Sequence, residues 1–488
     1  MEPKTDSWHW TPEEIKRVGY AAVDLIADHI SGLPGGPVFQ PVPSALAEEF
    51  LNSPLPATGA SADAILAEFA EKIMPYPLGN GHPRFYAWVN SAPTPIGIFA
   101  DALASAIDPS VAGGNHSAVW VEHAVLAWFR TLIGFPPESM GLLVSGGSVA
   151  NLTALAIARN VKAGTDVRAN GLQTLDAPLT IYIGEEGHSC IRKAAELLGI
   201  GSNYIRVIPS DPHLRMDAAL LEEAIRADID HGLRPIAVAA SAGTVNSGAI
   251  DPLAAISAIC RTYDLWFHID GSYGAPAILT QQYRPELEDI ALADSVALDP
   301  HKWLYLPVET GLVMVRDGSL MRDTFSLVPP YLRTDGNQSG AGGPPWFSEY
   351  GIQQTRGFRA LKVWMALKYH GTEGYTASIE RDIALAQHLT RLVETTDDLE
   401  LLAPQSLSIV LFRYVPPDYR DDNEHLNALN KAILQDIQLS GKAFLSGTVL
   451  HGKFALRACM VNYRAQMEDM DFVVELVKGT GAKLTGKV

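Results

Sequence analysis

A lysine, a histidine and a tryptophan stand together at the end of a short apolar run in Ser295-Val-Ala-Leu-Asp-Pro-His-Lys-Trp303. Val296 to Leu298 predict a short buried strand, ended by Asp299 and Pro300. In open α/β sheets, ligands collect at the carboxyl ends of strands. A lysine there, partly withdrawn from water, has a lowered pKa, and its amine can form a Schiff base with a carbonyl. Lys302 could instead run its methylenes past Trp303 and keep its ammonium in solvent. The segment by itself is compatible with both.

Other residues narrow the choice. Val144-Ser-Gly-Gly-Ser148-Val-Ala-Asn-Leu152 reads as strand, glycine turn and helix. The free N–H groups of such a helix start, with the Ser148 hydroxyl, suit a phosphate. There is no GK[ST] and no GxGxxG, so neither a Walker loop nor a dinucleotide fingerprint is present. Ser148 could also simply cap the helix. Gly146-Gly-Ser148-Val-Ala150 resembles the nucleophile elbow of a serine hydrolase, a reading that leaves Lys302 unexplained. Asp270 closes the apolar run Leu265-Trp-Phe-His-Ile269. A carboxylate there is costly unless it meets a cation, such as a protonated ring nitrogen, or serves the turn at Gly271. His188, in Gly184-Glu-Glu-Gly-His-Ser189, could stack on a flat ring, and the Thr244 hydroxyl follows another candidate strand. A phosphate turn, a stacking ring, an acid and a lysine, all at strand ends, form the set that pyridoxal 5'-phosphate (PLP) needs.

These residues resemble the group II PLP-dependent amino acid decarboxylases, and most closely the aromatic-L-amino-acid decarboxylases. The likeness rests on His268-Ile-Asp270, Pro300-His-Lys-Trp303, His188-Ser189 and Arg356-Gly-Phe-Arg359-Ala-Leu-Lys-Val-Trp364, and extends from about residue 11 to the end. It implies a fold type I (aspartate aminotransferase-like) architecture and a homodimer with its active site at the subunit interface. It implies that Lys302 anchors PLP, Asp270 pairs with the pyridine nitrogen and His188 stacks on the ring. Gly147, Ser148, Thr244 and His301 would surround the cofactor, and Trp88 and Ser91 would line the substrate pocket. The implied reaction converts an aromatic L-amino acid (tryptophan, tyrosine, phenylalanine or a hydroxylated form) to its amine and CO2.

The sequence departs from the family pattern in two places. Phe347 falls where many aromatic decarboxylases carry a proton-donating tyrosine on a loop; Tyr350 or Tyr331 could substitute. In relatives with phenylalanine there, oxygen can intercept the reaction and yield an aldehyde, ammonia and peroxide. An aromatic acetaldehyde synthase is therefore the nearest alternative. Ala112-Gly113-Gly114 stands where animal aromatic decarboxylases have bulkier residues, which implies room for a large ring such as indole.

These residues need a scaffold, and 488 residues at 47% apolar content provide for a large α/β domain with appendages. The net charge of −18, without a basic run, argues against nucleic-acid or anionic-membrane surfaces. Cys190, Cys260 and Cys459 are dispersed, with no CxxC and no HExxH, so no metal site is expected. Sparse cysteines, no signal-like start and no long apolar run predict a cytoplasmic protein without a membrane span.

Thr11-Pro-Glu-Glu14 is a capping box opening an amphipathic helix with Ile15, Val18, Ala22, Leu25 and Ile26 on one face. That face could pack on a second subunit or on its own domain. Further helices are expected near 44–52 and 62–74, then a Pro-, Gly- and aromatic-rich loop at 75–95. Strands are expected at Leu142–Val144, Leu179–Ile183, Tyr204–Ile208, Ile236–Ala239, Leu265–Ile269, Val296–Leu298 and Gly311–Val315. Alternating with helices, they predict a mostly parallel sheet covered on both faces. A loop at Pro329–Tyr350 with the flexible run Thr334–Gly343, then helices at Gly357–Lys368 and 376–396, lead to a small α+β unit. The expected division is an N-terminal helical arm (1–80), a large PLP-binding α/β domain (81–375) and a small C-terminal α+β domain (376–488).

Overall fold

The computed structural model describes residues 8–328 and 342–485. Tyr331 and most of the Thr334–Gly343 run lie outside them.

The large sheet is built from β1 (Met140–Val144), β2 (Leu179–Gly184), β3 (Ile205–Ile208), β4 (Arg234–Ser241), β5 (Trp266–Asp270), β6 (Ser295–Leu298) and β7 (Gly311–Val315). Every strand expected there is present, with small shifts at the ends. The order is β1-β7-β6-β5-β4-β2-β3. Strands β3, β2, β4, β5 and β6 are joined by parallel ladders, while β7 runs antiparallel to both β6 and β1. The direction of β7 follows from what joins it to β6: a parallel return is usually made through a crossover helix. The β6–β7 connection contains Asp299–Thr310 and no helix, so the chain turns back beside β6. Strands β2, β6 and β7 are buried along their whole length, as uninterrupted apolar runs require between two helical layers.

Because β7 is flanked antiparallel on both sides, β1 points the same way as β2 to β6. The carboxyl ends of β1, β2, β4, β5 and β6 therefore share one edge. The turns that leave them carry Ser148, His188, Thr244, Asp270 and Lys302.

At the amino terminus, α1 (Pro12–Gly32) has its capping box: Glu14 N–H donates to Thr11 Oγ1 at 3.2 Å and Thr11 N–H to Glu14 Oε2 at 3.0 Å. None of its residues is buried, and Trp8, Ile15, Tyr20, Leu51 and Leu55 of the amino-terminal region are exposed. The carboxyl-terminal unit is an antiparallel sheet in the order β10-β11-β9-β8, where β8 is Leu399–Leu401, β9 Ile409–Tyr414, β10 Ser446–Leu450 and β11 Lys453–Cys459. Helices Asn423–Ser440 and Met467–Leu484 accompany it. The three-residue β8 was not expected; it is too short to show alternation. The two helices expected around 357–396 are present within Ala360–Glu394, and they meet at a kink at Gly371, whose φ of 65° leaves the helical region. No helix among the described residues is long and apolar enough to cross a membrane.

Candidate active site

A cavity of about 540 Å³ opens at the shared carboxyl edge. Lys302, Asp270, His188, Gly147, Ser148, Thr244, His301 and Trp88 all line it, together with Asn151 and Asp299.

The turn from β1 leads into the helix Gly147–Lys162, which no side chain caps. The Val149 and Ala150 N–H groups donate to the Gly146 carbonyl, while no side chain takes those of Gly147 and Ser148, an arrangement suited to an anion. Gly147 has to be glycine, because a Cβ there would come within 2.5 Å of Ser272 Oγ and 2.9 Å of Asp299 Oδ2. Gly311, the first residue of β7, lies so close to the Gly146 backbone that a Cβ would collide with it.

Lys302 reaches into the cavity, while Trp303 turns the other way into the core. Trp303 stacks on Tyr273 with ring centroids 5.0 Å apart, and its Nε1–H donates to Asp382 Oδ2 at 3.0 Å. The Tyr305 hydroxyl donates to the same oxygen at 2.7 Å. The lysine is therefore not a surface charge passing Trp303. Its Nζ pairs with Asp299 Oδ2 at 2.8 Å. Burial works to lower its pKa, but the Asp299 and Asp270 carboxylates outweigh burial and the net direction is upward. The expected depression of the lysine pKa is thus reversed in this structure, because two acids share its pocket.

Asp270 ends β5. Its Oδ2 accepts from Asn151 Nδ2 at 3.2 Å and its Oδ1 from the Ser272 N–H at 3.1 Å. His188 accepts the Cys190 N–H on Nδ1 at 3.2 Å, so the neutral ring carries its proton on Nε2. Desolvation holds its pKa below the usual range although one face stays open to the cavity. Thr244 is buried behind Gly243, with its Oγ1 2.9 Å from Ser247 Oγ. His301 sits with Nδ1 2.7 Å from the Thr310 carbonyl, and burial lowers its pKa.

Trp88 comes from the 75–95 loop, which the small sheet pins in place. Tyr86 N–H donates to the Phe444 carbonyl at 2.8 Å, Cys459 N–H to the Tyr86 carbonyl at 2.9 Å, and Arg457 Nη1 to the Trp88 carbonyl at 2.8 Å.

Three expected residues do not line this cavity within one chain. Ser91 lies behind it, donating from Oγ to the His301 carbonyl at 2.9 Å. Phe347 is buried against the His123 ring, at 4.6 Å, with the Arg356 guanidinium 4.9 Å from its centroid. Tyr350 is also buried, one short turn further on. Among the lining residues that the sequence did not single out are Asp299 and Asn151. Asp299 was read only as a strand terminator. Asn151, one helical turn after Ser148, passed as an ordinary helix position. Three residues before the lysine, at a strand end, an acid was the available signal.

The lining fits PLP. It combines an amine, an acid, an imidazole face and an uncapped helix start. Two buried polar atoms there, Ser272 Oγ and Asp299 Oδ1, have no partner in the protein. Among the described residues Ser148 makes no hydrogen bond to a histidine, which leaves the hydrolase reading without its base.

Fold and site together define a PLP enzyme of fold type I. The chain belongs to the pyridoxal-dependent decarboxylases: residues 43–415 match the pyridoxal-dependent decarboxylase conserved domain. It is 34% identical over 475 residues to an aromatic-L-amino-acid decarboxylase of Bacillus atrophaeus, covering 97% of this chain and 96% of that one. It is 29% identical to a phenylacetaldehyde synthase of Arabidopsis thaliana, covering 92% of each. A crystal structure of Oryza sativa TDC with PLP and tryptamine superposes with a TM-score of 0.90 at 26% identity, covering 98% of this chain and all of that one.

Proposed function

We propose that this chain is a decarboxylase of aromatic L-amino acids, releasing CO2 and the amine. The observation that carries it is the convergence of Lys302, Asp270 and His188 on one cavity, in a chain 34% identical to an aromatic-L-amino-acid decarboxylase. When bound, PLP supplies the electron sink for the charge left at Cα as CO2 departs. Lys302 would hold the cofactor, and Asp270 would pair with its ring nitrogen and favour the protonated form. The uncapped N–H groups at Gly147 and Ser148 take the phosphate, and the His188 ring face covers the cofactor. Trp88 restricts how the side chain of the substrate lies, and so which Cα bond stands ready to break. Incubation with the twenty amino acids, scoring CO2, amine, aldehyde and peroxide together, tests the reading. Turnover confined to acidic or imidazole substrates would overturn it.

One observation favours a second product. A phenylacetaldehyde synthase is among the relatives, and the family resemblance puts Phe347 where a proton-donating tyrosine is expected, although within one chain Phe347 lies outside the cavity. In that reading O2 is consumed and the products are aldehyde, CO2, ammonia and peroxide. Phe347→Tyr should then cut peroxide output severalfold in a coupled peroxidase assay; unchanged output removes Phe347 from the account.

We read the assembly as a homodimer with the site at its interface. Support comes from α1, none of whose residues is fully buried on its own chain, and from the exposed Trp8, Ile15 and Tyr20. We divide the chain at 80 and 375. A separate core cluster, drawn from residues between Leu385 and Val477 with Tyr86, supports the second boundary. We place the protein in the cytoplasm, since all three cysteines are buried and unpaired.

A further inference from the structure

Behind Asp270 lies a row of buried polar groups that the reading above does not use. His268 precedes Asp270 by two residues on β5, so strand alternation puts both side chains on one face. That face meets the helix Gly147–Lys162, which presents Asn151 one turn after the phosphate turn. His268 and Asn151 are both fully buried. Trp266 Nε1 lies 2.8 Å from Ser295 Oγ, and Ser295 Oγ 2.8 Å from His268 Nδ1. His268 Nε2 lies 2.5 Å from Asn151 Oδ1, and Asn151 Nδ2 3.2 Å from Asp270 Oδ2. The second N–H of the amide meets Cys190 Sγ at 3.2 Å.

The direction of every bond in this row is fixed by chemistry at its two ends. An indole N–H can only donate, so Ser295 Oγ accepts from Trp266. A carboxylate can only accept, so Asn151 offers Asp270 its amide nitrogen. The amide oxygen then faces His268, whose Nε2 must be the donor. Nδ1 of the neutral ring is left to accept the Ser295 hydroxyl proton. All donors point toward Asp270.

We propose that His268 and Asn151 are positioning residues for Asp270: a one-way hydrogen-bond relay that locks the carboxylate in its acceptor role, aimed at the cofactor's ring nitrogen. The inference rests on the assignment of Asp270 to that nitrogen. The relay works only with His268 neutral. A second proton would put a donor on Nδ1 against Ser295 and break the row at that bond. Burial drives the His268 pKa down to about 4, against the pull of the nearby Asp270 charge. The other titratable groups facing Asp270 are Lys302, Asp299, His188 and Cys190, all in the same cavity lining.

The first test reads the relay without catalysis. In the full-length chain carrying ¹⁵N-histidine, His268 should show a protonated Nε2 and a bare Nδ1, unchanged between pH 5 and 8. An Nδ1–H tautomer, or titration within that window, overturns the proposal. The second reads cofactor affinity by titrating the full-length chain with PLP. Asn151→Leu and His268→Leu should weaken binding on the order of tenfold to a hundredfold, as loss of a partner behind a liganding side chain does elsewhere. His268→Gln, which keeps a donor toward Asn151, should recover most of the loss. If the leucine variants melt like wild type and bind PLP equally well, the relay has no role. Asp270→Asn separates the two levels of the argument. If it weakens PLP binding and the leucine variants do not, only the relay fails. If it leaves PLP binding intact, the assignment of Asp270 fails first.

Discussion

In the proposed mechanism Lys302 is the residue on which the chemistry turns. Lys302→Ala should abolish turnover and the visible absorbance of the cofactor–lysine linkage; decarboxylation at the wild-type rate would remove it from the mechanism. Nearby, Asp382 makes a different kind of prediction. It receives both Trp303 and Tyr305 on one oxygen, and burial raises its pKa from 3.8 to about 7, partly offset by those two bonds. A carboxyl whose folded pKa is raised favours the folded state most at low pH. Its contribution is complete below the unfolded value and lost as pH rises through about 7. Urea midpoints should therefore decline across that window for this group, and Asp382→Asn should flatten the decline. A midpoint profile identical in the variant would show that Asp382 does not titrate there.

Among the elements, the helix Ser117–Ile133 is tied to the end of β1 by a buried ion pair. Glu122 accepts the Leu143 N–H at 3.1 Å and pairs with Arg356, whose guanidinium also donates to the carbonyls of Val111 at 2.8 Å and Leu143 at 2.7 Å. Removing one partner of such a pair leaves a buried charge and costs about 3–5 kcal/mol. Glu122→Leu should lower thermal stability accordingly, read by calorimetry; a change below about 1 kcal/mol would show that water reaches Arg356. Arg356 was visible in the sequence as part of a motif, but Glu122 was not, since nothing local marks a helix glutamate as buried.

That contrast holds for the molecule as a whole. Lys302, Asp270, His188, Ser148 and Thr244 could be read because each follows an apolar run, and a sheet brings such ends to one edge. Phe347, Tyr350 and Ser91 had only their distance along a loop to place them, and loops carry no period. Asn151 stayed hidden, and His268 was visible only as a motif residue without a role, because their partners are far away in sequence. The exposed arm belongs to this scale too. Replacing Ile15 and Tyr20 with aspartate should shift the protein from dimer to monomer in light scattering and reduce activity with it. An intact dimer would mean that α1 is not the contact.

Asp299–Thr310 leaves β6 and re-enters the strand beside it, with Leu298 and Leu312 paired across the gap. Trp303 and Tyr305 hold its middle to Asp382. The first half of this clasp has little slack: Leu298, Trp303 and Tyr305 are all buried, whereas Val308 in the second half is exposed. A residue added between Leu298 and Trp303 would therefore shift the Lys302 amine within the cavity, so in the proposed mechanism the spacing there matters as much as the residue types.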